Sequence, residues 1–238
     1  LNGNADFMGD DIHYASNHDF VGIEFSIHGM LDGRVRVGMP GKFNADNALA
    51  ALSVCTLALS GGSGVLDDHT KQAILGSLVK VRVDGRMEIA HVSKKCSVIV
   101  DYAHNAVSME SLLTTLRDYH PKRLVCVFGC GGNRARDRRY SMGEIGGKMA
   151  DLCIITADNP RFEKNEDIIK DIEVGLAKTD GTYLVIPDRR EAIFYAIRNA
   201  EEGDMIAIIG KGHEDYQEIE GVKHHFLDRE VVEEAVNG

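Results

Sequence analysis

An alternation of short apolar runs with amphipathic segments begins near residue 95 and constrains the fold more than any other feature of this chain. Five of the apolar runs are predicted as strands: Ser97–Asp101, Arg123–Phe128, Leu152–Thr156, Thr182–Ile186 and Met205–Ile209. Between them, apolar side chains recur at helical spacing, at Met109, Leu112, Leu113, Leu116 and Tyr119 and again at Ala192, Ile193, Ala196 and Ile197. Strands that alternate with helices predict an α/β fold with a mostly parallel sheet and crossover helices.

The segments on either side of this region have different patterns. Residues 21–39 alternate apolar and polar around Gly29–Gly33, which predicts a β-hairpin. Two helices are predicted to follow, Asn47–Leu59 and a second that runs from Asp67 or Asp68 as N-cap to about Leu78. Near the other end, a second hairpin (Tyr216–Ile219 and Lys223–Phe226) is predicted to add antiparallel to the sheet, before a last helix from about Asp228. Helical periodicity stops near Val81–Arg86, where we expect a domain boundary.

The charge balance limits the classes of partner. The 238-residue chain has a net charge of −10, which argues against nucleic-acid or anionic-membrane binding, because such surfaces need accumulated Lys and Arg. The basic cluster from Arg134 to Arg139 is therefore expected to act locally. For Arg136, Arg138 and Arg139, the alternative is a solvated helix start whose side chains only face water.

The cysteines and the chain start indicate compartment and completeness. The five cysteines are odd in number, form no C-x-x-C pair and lie mostly in apolar strand-like contexts, which predicts a reducing, cytoplasmic setting. No apolar run is long enough to cross a bilayer. The sequence opens Leu-Asn-Gly-Asn, without an initiator Met or a signal pattern, so we expect a fragment of a longer protein.

Polar clusters follow four of the predicted strands. They are Asp101-Tyr102-Ala103-His104-Asn105, Gly129-Cys130-Gly131-Gly132-Asn133-Arg134, Asp158-Asn159-Pro160-Arg161 and Gly210-Lys211-Gly212-His213-Glu214-Asp215. Ligands of open parallel sheets bind beyond the carboxyl ends of the strands, so a site is predicted on this rim. Arg134 and Arg161 would supply two guanidinium forks and Glu214 an acid, which matches a ligand with carboxylates and an ammonium group.

Each cluster alone also has a simpler interpretation. The glycines permit a tight turn, and Arg134 stands where a dinucleotide fingerprint needs a glycine, so a nicotinamide site is disfavoured. Asp158 and Arg161 alone would be an ion pair across a turn. His104 has no carboxylate or cysteine at ligand spacing and is not assigned to a metal. Lys211 between glycines suggests a phosphate contact, but the sequence contains no G-x-x-x-x-G-K-[ST] loop.

Taken together and in order, these segments resemble the Mur ligase family. Gly41 to Ala48 is similar to its G-x-[FH]-N-x-x-N-x motif, Gly85 to Glu88 to its G-R-x-E motif, and Asp101 to Asn105 to its D-Y-A-H-[NT] motif. The segments Phe128 to Arg134, Asp158 to Arg161 and Gly210 to Gln217 are most similar to the branch that adds the third peptide residue of the cell-wall precursor. Six motifs in the family's order are far more specific than any one of them.

The resemblance implies two domains. Residues 1–84 resemble the end of a central α/β ATPase domain, and residues 85–238 resemble the Rossmann-like C-terminal domain that binds the added amino acid. ATP and Mg²⁺ are the implied cofactors, and the family's P-loop and magnesium ligands would lie upstream of Leu1. No catalytic residue and no metal ligand is therefore assigned in this chain, and the chain alone is expected to be inactive.

The implied reaction is ATP-dependent amide formation by way of an acyl phosphate, in peptidoglycan precursor synthesis. Residues implied to lie near the nucleotide are Asn44, Asn47, Arg86, Asp101, His104 and Asn105. Residues implied to bind the added amino acid are Arg134, Asp158, Asn159, Pro160, Arg161, Gly210 and Glu214. Two positions depart from the family pattern, since Ala106 replaces a frequent proline and Asn133 a common aspartate.

Within the family, the Asp-Asn-Pro-Arg form is associated with the branch that adds meso-diaminopimelate to UDP-MurNAc-L-Ala-D-Glu. This amino acid carries a second carboxylate that lysine lacks, and an arginine fork can bind it in bidentate fashion. An Arg161 left unpaired would discriminate against lysine by ~2–4 kcal/mol. The alternatives are a lysine-adding relative, a protein similar to folylpolyglutamate synthetase, and a non-catalytic nucleotide-binding module. We expect a monomer without nucleic-acid or membrane partners.

Overall fold

A computed structural model describes residues 5–238, and its packing divides the chain into two compact units. The first unit extends to Arg82 and the second is Val83–Gly238. Leu1–Asn4, whose lack of an initiator Met suggested a fragment, lie outside the described residues.

The first unit combines a three-stranded antiparallel sheet with two helices. The strands are β1 (Phe7–Asn17), β2 (Phe20–Gly29) and β3 (Gly33–Val37), and the helices are α1 (Phe43–Leu59) and α2 (Asp68–Ser77), with a 3₁₀ turn at Leu78–Lys80. The hairpin predicted within residues 21–39 is confirmed as β2 and β3. Strand β1 was missed, because polar residues and a register irregularity between Asp10 and His13 interrupt its apolar alternation.

A side-chain cap marks the start of α2, whereas α1 begins without one. Asp67 is the N-cap of α2, since its carboxylate accepts a hydrogen bond from the Thr70 amide at 2.9 Å, as the sequence predicted. Helix α1 begins at Phe43 rather than at the predicted Asn47, so both asparagines of the G-x-[FH]-N-x-x-N-x segment lie in its first turns. Apolar side chains of the sheet, including Phe25 and Val35, form one core with the buried faces of α1 and α2.

The second unit is built on a six-stranded, mostly parallel sheet. Its strands are β4 (Glu88–Val92), β5 (Cys96–Asp101), β6 (Arg123–Phe128), β7 (Leu152–Ile155), β8 (Tyr183–Val185) and β9 (Asp204–Ile209). Their order across the sheet is β4-β5-β9-β6-β7-β8, with β4 antiparallel to β5 and every other neighbouring pair parallel. The five predicted strands are confirmed, each within one residue at either end. Strand β4 was not predicted.

Helices cover both faces of this sheet. They are α3 (Ala106–Arg117), α4 (Asp137–Met149), α5 (Asn165–Leu176), α6 (Arg189–Arg198) and α7 (Asp228–Asn237). On one face, α6 and α7 pack against β5, β6 and β9 through residues such as Ile193, Val231 and Ile206. On the other, Met109 of α3 and Phe128 of β6 lie against α4. The predicted apolar stripes are buried, and only Tyr119, beyond the end of α3, is half-exposed.

The terminal hairpin differs from its prediction in the way it is attached. Strands β10 (Tyr216–Ile219) and β11 (Val222–His225) pair with each other as a separate two-stranded sheet, and an isolated parallel bridge joins Ile219 to Arg161. The prediction that they add to the main sheet was wrong, and β4 is the antiparallel strand there. The hairpin instead contacts the loop after β7, where the Arg161 amide donates to the Glu218 carbonyl at 3.0 Å. It therefore supports that loop rather than extending the sheet.

A buried ion pair joins the carboxyl ends of two central strands. Arg189, the first residue of α6, donates from Nε and Nη2 to the two carboxylate oxygens of Asp228, each at 2.7 Å. Its Nη1 donates to the Ala157 carbonyl at 3.2 Å and its Nη2 also to the Ile209 carbonyl at 3.1 Å. Both side chains are fully buried. The pair therefore fixes the points where the chain leaves β7 and β9.

Two further observations concern the whole described chain. All five cysteines are free, and Cys55 is the only exposed one of them. Within residues 5–238, no helix is both long enough and apolar enough to span a bilayer.

Candidate functional site

A cavity of about 240 Å³ lies beyond the carboxyl ends of the central strands of the second unit. Its lining residues are Tyr102, His104, Gly129, Cys130, Gly131, Arg134, Arg138, Asp158, Asn159, Arg161, Gly210 and Glu214. The four polar clusters predicted to meet on one rim therefore do meet. Of the seven residues implied to bind the amino acid, Pro160 alone does not line this cavity; it is buried and lines a neighbouring one with Arg161.

The glycines after β6 allow two loops to approach each other closely. A Cβ at Gly132 would lie 1.9 Å from the Pro160 carbonyl oxygen, and one at Gly131 would lie 2.8 Å from Nη1 of Arg161. The Gly132 amide donates to the Asn159 carbonyl at 2.8 Å. These glycines serve loop packing, as the simpler interpretation had it, but their absent side chains also make room for the Arg161 guanidinium.

Asn159 connects three separate segments of the site. Its Nδ2 donates to Oε2 of Glu214 at 2.8 Å, and its Oδ1 accepts from the Glu218 amide at 2.8 Å. The residue is only 2% exposed. A buried amide with both ends occupied has a fixed orientation, so Asn159 holds the loop after β7, the loop after β9 and the hairpin in one arrangement.

Arg161 is held in a defined position above the cavity. Its backbone φ is +53°, a left-handed conformation that is uncommon for arginine. Its Nη1 donates to the Gly132 carbonyl at 2.9 Å, and its Nε lies 3.3 Å from Oε2 of Glu218. The ion-pair partner of Arg161 is therefore on the hairpin, and the suggested turn-spanning pair with Asp158 is not the one that forms.

Glu214 is surrounded by donors. The Tyr102 hydroxyl donates to Oε1 at 3.3 Å, and Nζ of Lys211 lies 3.6 Å from Oε2. Burial, followed by the charge of Glu214, raises the pKa of Tyr102, which keeps the hydroxyl available as a donor. With Asn159 on Oε2, the carboxylate is fixed at the cavity wall, where it can accept a hydrogen bond from a ligand ammonium group.

Asp158 is the second acid of the cavity. It is 7% exposed, and its burial raises the pKa of the carboxyl, an effect that nearby Arg189 and Lys211 oppose. Cys130 lines the same wall, and burial raises the pKa of its thiol to about 12. The thiol therefore stays protonated and contributes an apolar surface rather than a nucleophile.

The basic cluster divides between the cavity and the interior. Arg134 is exposed and Arg138 half-buried, and both line the cavity, so Arg138 was missed as a site residue. Arg139 is 1% exposed and lies 2.8 Å from Glu163 and 2.9 Å from Asp171. The solvated interpretation of this cluster is wrong for Arg139, because these two acids on and before α5 draw its guanidinium inward.

The pair of Arg139 and Glu163 gives the fold a dependence on acid. The hydrogen bond from Arg139 lowers the pKa of the Glu163 carboxyl below its ordinary 4.5. A carboxyl whose pKa is lower in the folded than in the unfolded protein stabilises the fold at pH values above its unfolded-state pKa. This contribution is lost as the pH falls through its folded-state pKa. We expect Glu163→Gln to lower the free energy of unfolding near neutral pH, and its difference from wild type to shrink from about pH 6 to about pH 3.

Urea unfolding followed by circular dichroism at several pH values measures this difference. The control is Glu166→Gln, which removes the same charge from an exposed neighbour. If the free energies of unfolding of Glu163→Gln and wild type differed by the same amount at every pH, the role of the Arg139–Glu163 ion pair would be contradicted.

Four of the residues implied to lie near the nucleotide belong to the second unit, and each makes its own local contacts there. Arg86 is exposed, with its guanidinium 4.7 Å from the centre of the Tyr102 ring. Asp101 accepts hydrogen bonds from the Met87 and Ala103 amides, each at 2.7 Å, while burial raises its pKa. The Asn105 side chain accepts from the Ser108 amide and caps α3. Nδ1 of His104 lies 2.9 Å from the Tyr102 carbonyl oxygen, which orients its ring within its own loop.

Asn44 and Asn47 belong to the first unit and form a local pair. Asn44 is buried and donates from Nδ2 to the Pro40 carbonyl at 2.7 Å. Its Oδ1 accepts from Nδ2 of Asn47 at 3.0 Å. Asn47 is exposed, so its amide oxygen is presented to solvent while Asn44 orients it.

Lys211 does not serve as a phosphate contact. The side chain is fully buried, burial lowers the pKa of its ammonium group, and Nζ donates to the Tyr216 carbonyl. It holds the loop after β9 against the hairpin. Among residues 5–238, no cluster of three His, Cys, Asp or Glu side chains has a geometry that could bind a metal ion.

Comparisons with known proteins agree on one family. The model described as "Mur ligase, glutamate ligase domain" matches residues 85–212. A UDP-N-acetylmuramoyl-L-alanyl-D-glutamate--2,6-diaminopimelate ligase of Aquifex aeolicus is 42% identical over 238 residues, which are 100% of this chain and 45% of that protein. The same-named ligase of Clostridioides difficile is 41% identical over 233 residues, 98% of this chain and 46% of that protein.

Solved structures support the same relationship. A solved structure of a UDP-N-acetylmuramoyl-L-alanyl-D-glutamate--2,6-diaminopimelate ligase matches with a TM-score of 0.74 and 34% identity, over 98% of this chain and 45% of that one. The chain thus spans about half the length of the relatives that it matches.

Proposed function

Because the chain belongs to the Mur ligase family, we propose that it is the amino-acid-selecting half of an ADP-forming ligase that adds meso-diaminopimelate to UDP-MurNAc-L-Ala-D-Glu. In this proposal, residues 1–84 complete the central ATPase domain and residues 85–238 form the C-terminal domain. The reaction serves peptidoglycan precursor synthesis. A monomeric state and a cytoplasmic location are part of the proposal, the latter supported by five free cysteines.

One observation carries the substrate assignment. The cavity presents three guanidinium groups, of Arg134, Arg138 and Arg161, and two carboxyl groups, of Asp158 and Glu214. Meso-diaminopimelate carries two carboxylates and two amino groups, so its charges complement this lining at both ends. Arg134 and Arg138 suit one carboxylate, Arg161 suits the other, and Glu214 suits the distal ammonium group.

The residues of this chain would act by binding and orientation. A carboxylate has no good leaving group for amide formation. Phosphorylation by ATP would turn the carboxylate of UDP-MurNAc-L-Ala-D-Glu into an acyl phosphate, from which phosphate leaves when the amine attacks. The added amino acid must then present its amine in a fixed direction, and the anchored Arg161 and Glu214 would hold the end of the molecule that does not react. Such positioning lowers the barrier because the amine no longer has to lose its rotational freedom during attack.

The nucleotide assignment is also a proposal. Arg86 has an exposed guanidinium that is stacked on Tyr102, with donors free to meet phosphate oxygens. The exposed amide of Asn47 fits the hydrogen-bonding edge of an adenine. Asp101, His104 and Asn105 would shape the same loop. The P-loop and the ligands of Mg²⁺ are proposed to lie upstream, and the chain alone is proposed to turn over no ATP.

Calorimetric titration of this chain with meso-diaminopimelate and with L-lysine tests the substrate assignment. Every residue that lines the cavity belongs to the second unit of this chain. We expect meso-diaminopimelate to bind at least about tenfold more tightly, because one additional charge-assisted contact is worth roughly 1.5–3 kcal/mol. Equal affinity would favour the lysine-adding alternative and contradict the proposal.

A further inference from the structure

Glu218 is the nearest acid to the Arg161 guanidinium, yet it belongs to a different structural element. Its Oε2 lies 3.3 Å from Nε of Arg161, and each side chain is 21% exposed. The two residues also bond through their backbones, since the Arg161 amide donates to the Glu218 carbonyl at 3.0 Å. The ion pair is therefore built on a fixed backbone arrangement and is not a chance contact of two long side chains.

The hydrogen-bond donors of Arg161 can be counted. A guanidinium has five N–H groups. Nε faces Glu218, and one Nη1 hydrogen is donated to the Gly132 carbonyl at 2.9 Å. Of the other three N–H groups, one is on Nη1 and two are on Nη2, and the Nη1–Nη2 end of the fork can face a ligand carboxylate. Glu218 therefore leaves the end of the fork open while it partly neutralises the charge.

We propose that Glu218 sets how strictly the site distinguishes a diamino-dicarboxylic acid from lysine, by acting as a permanent counter-ion of Arg161. This inference rests on the proposed function. When a ligand lacks the second carboxylate, Arg161 still has Glu218 as partner, so the site is not left with an unpaired guanidinium. When the carboxylate is present, it shares the positive charge of Arg161 with Glu218.

The two ligands should respond in opposite directions to the loss of this charge. Without the Glu218 carboxylate, Arg161 would repel the distal ammonium group of lysine and attract the second carboxylate of meso-diaminopimelate more strongly. Glutamine has nearly the same size and shape as glutamate and keeps a carbonyl oxygen facing Nε, so Glu218→Gln removes the charge with little change in shape. The hydrogen bond of the Glu218 amide to Oδ1 of Asn159, at 2.8 Å, involves only the backbone of Glu218 and is retained.

The test is calorimetric titration of the chain and its Glu218→Gln variant with meso-diaminopimelate and L-lysine. We expect the ratio of the two dissociation constants to shift toward meso-diaminopimelate by about threefold to fivefold, the size of a partly exposed ion pair. The matched control is Glu220→Gln, which removes an equal charge from an exposed residue of the same hairpin and should leave the ratio unchanged.

A double-variant cycle separates specificity from structural support. In an Arg161→Ala background, Glu218→Gln should no longer change the ratio, because the group it neutralises is gone. Equal losses of affinity for both amino acids, or an unchanged ratio, would overturn the role of Glu218 and leave the proposed function intact. A wild-type chain without preference for meso-diaminopimelate would overturn both.

Discussion

Replacement of Arg189 by methionine should lower the free energy of unfolding of the second unit by about 3–5 kcal/mol, the usual cost of leaving one member of a buried ion pair alone. The structural basis is complete burial of Arg189 and Asp228, with two hydrogen bonds of 2.7 Å between them. The variant leaves a desolvated carboxylate and removes donors from the Ala157 and Ile209 carbonyls. Hydrogen exchange at the amides of β7 and β9 reports the stability of this unit.

The double variant Arg189→Met, Asp228→Leu is the informative control. Apolar replacement of both members of a buried pair is often neutral or stabilising, so most of the lost stability should return. The binding of meso-diaminopimelate should nevertheless stay weakened, because the ends of β7 and β9 are no longer joined. If the double variant is as unstable as the single one, side-chain packing rather than charge accounts for the effect.

Arg161→Ala should lower the affinity for meso-diaminopimelate by about 10- to 100-fold, the equivalent of roughly 1.5–3 kcal/mol for a hydrogen-bonded charged group. The affinity for L-lysine should change by less than about threefold, since lysine has no carboxylate for this guanidinium. An arginine with no partner at all would discriminate against lysine by ~2–4 kcal/mol. The effect expected here is smaller, because Arg161 already has contacts with Glu218 and Gly132. Calorimetric titration with each amino acid measures both values.

Arg161→Lys provides the matched comparison. Lysine keeps the positive charge but not the planar fork, so it should retain part of the affinity for meso-diaminopimelate. The melting temperature of each variant shows whether the loop after β7 has kept its structure. If both amino acids lose affinity equally in Arg161→Ala, the guanidinium supports the loop and does not contact the second carboxylate.

The strands that could be predicted are those whose local sequence decides their burial. Strands β5, β6 and β9 are buried on both faces and consist mostly of apolar residues, so an apolar run identifies them without tertiary information. Strand β1 has mostly exposed residues and is stabilised by pairing with β2, which no local pattern shows. The separate sheet of β10 and β11 likewise depends on what surrounds it in the folded chain.

The site was predictable as a set of loops but not as a set of contacts. The topology of a parallel sheet brings the loops after β5, β6, β7 and β9 to one edge, and their polar residues do line one cavity. Arg138 and Arg139 are adjacent in sequence, but one faces the cavity and the other is buried against Glu163 and Asp171. Successive helical residues point about 100° apart, and the sequence does not show which direction is inward.

The partners of the charged groups lie far away in the sequence. Arg189 meets Asp228, and Arg161 meets Glu218, through contacts that only the folded chain creates. A buried arginine in an amphipathic helix has the same local pattern as a solvated one. The exposure of a charged residue therefore depends on an acid tens of residues distant, which explains why the solvated interpretation failed for Arg139.

The separate sheet of β10 and β11 determines how the surroundings of Arg161 can vary. The hairpin contacts Arg161 and Asn159 but shares no ladder of hydrogen bonds with the six-stranded sheet. Substitutions along it alter the surroundings of Arg161 without removing a strand pairing of the six-stranded sheet. If the proposed function holds, the environment of Arg161 can therefore vary through a short appendage, residues 216–225, while the strand pairing of the six-stranded sheet stays the same.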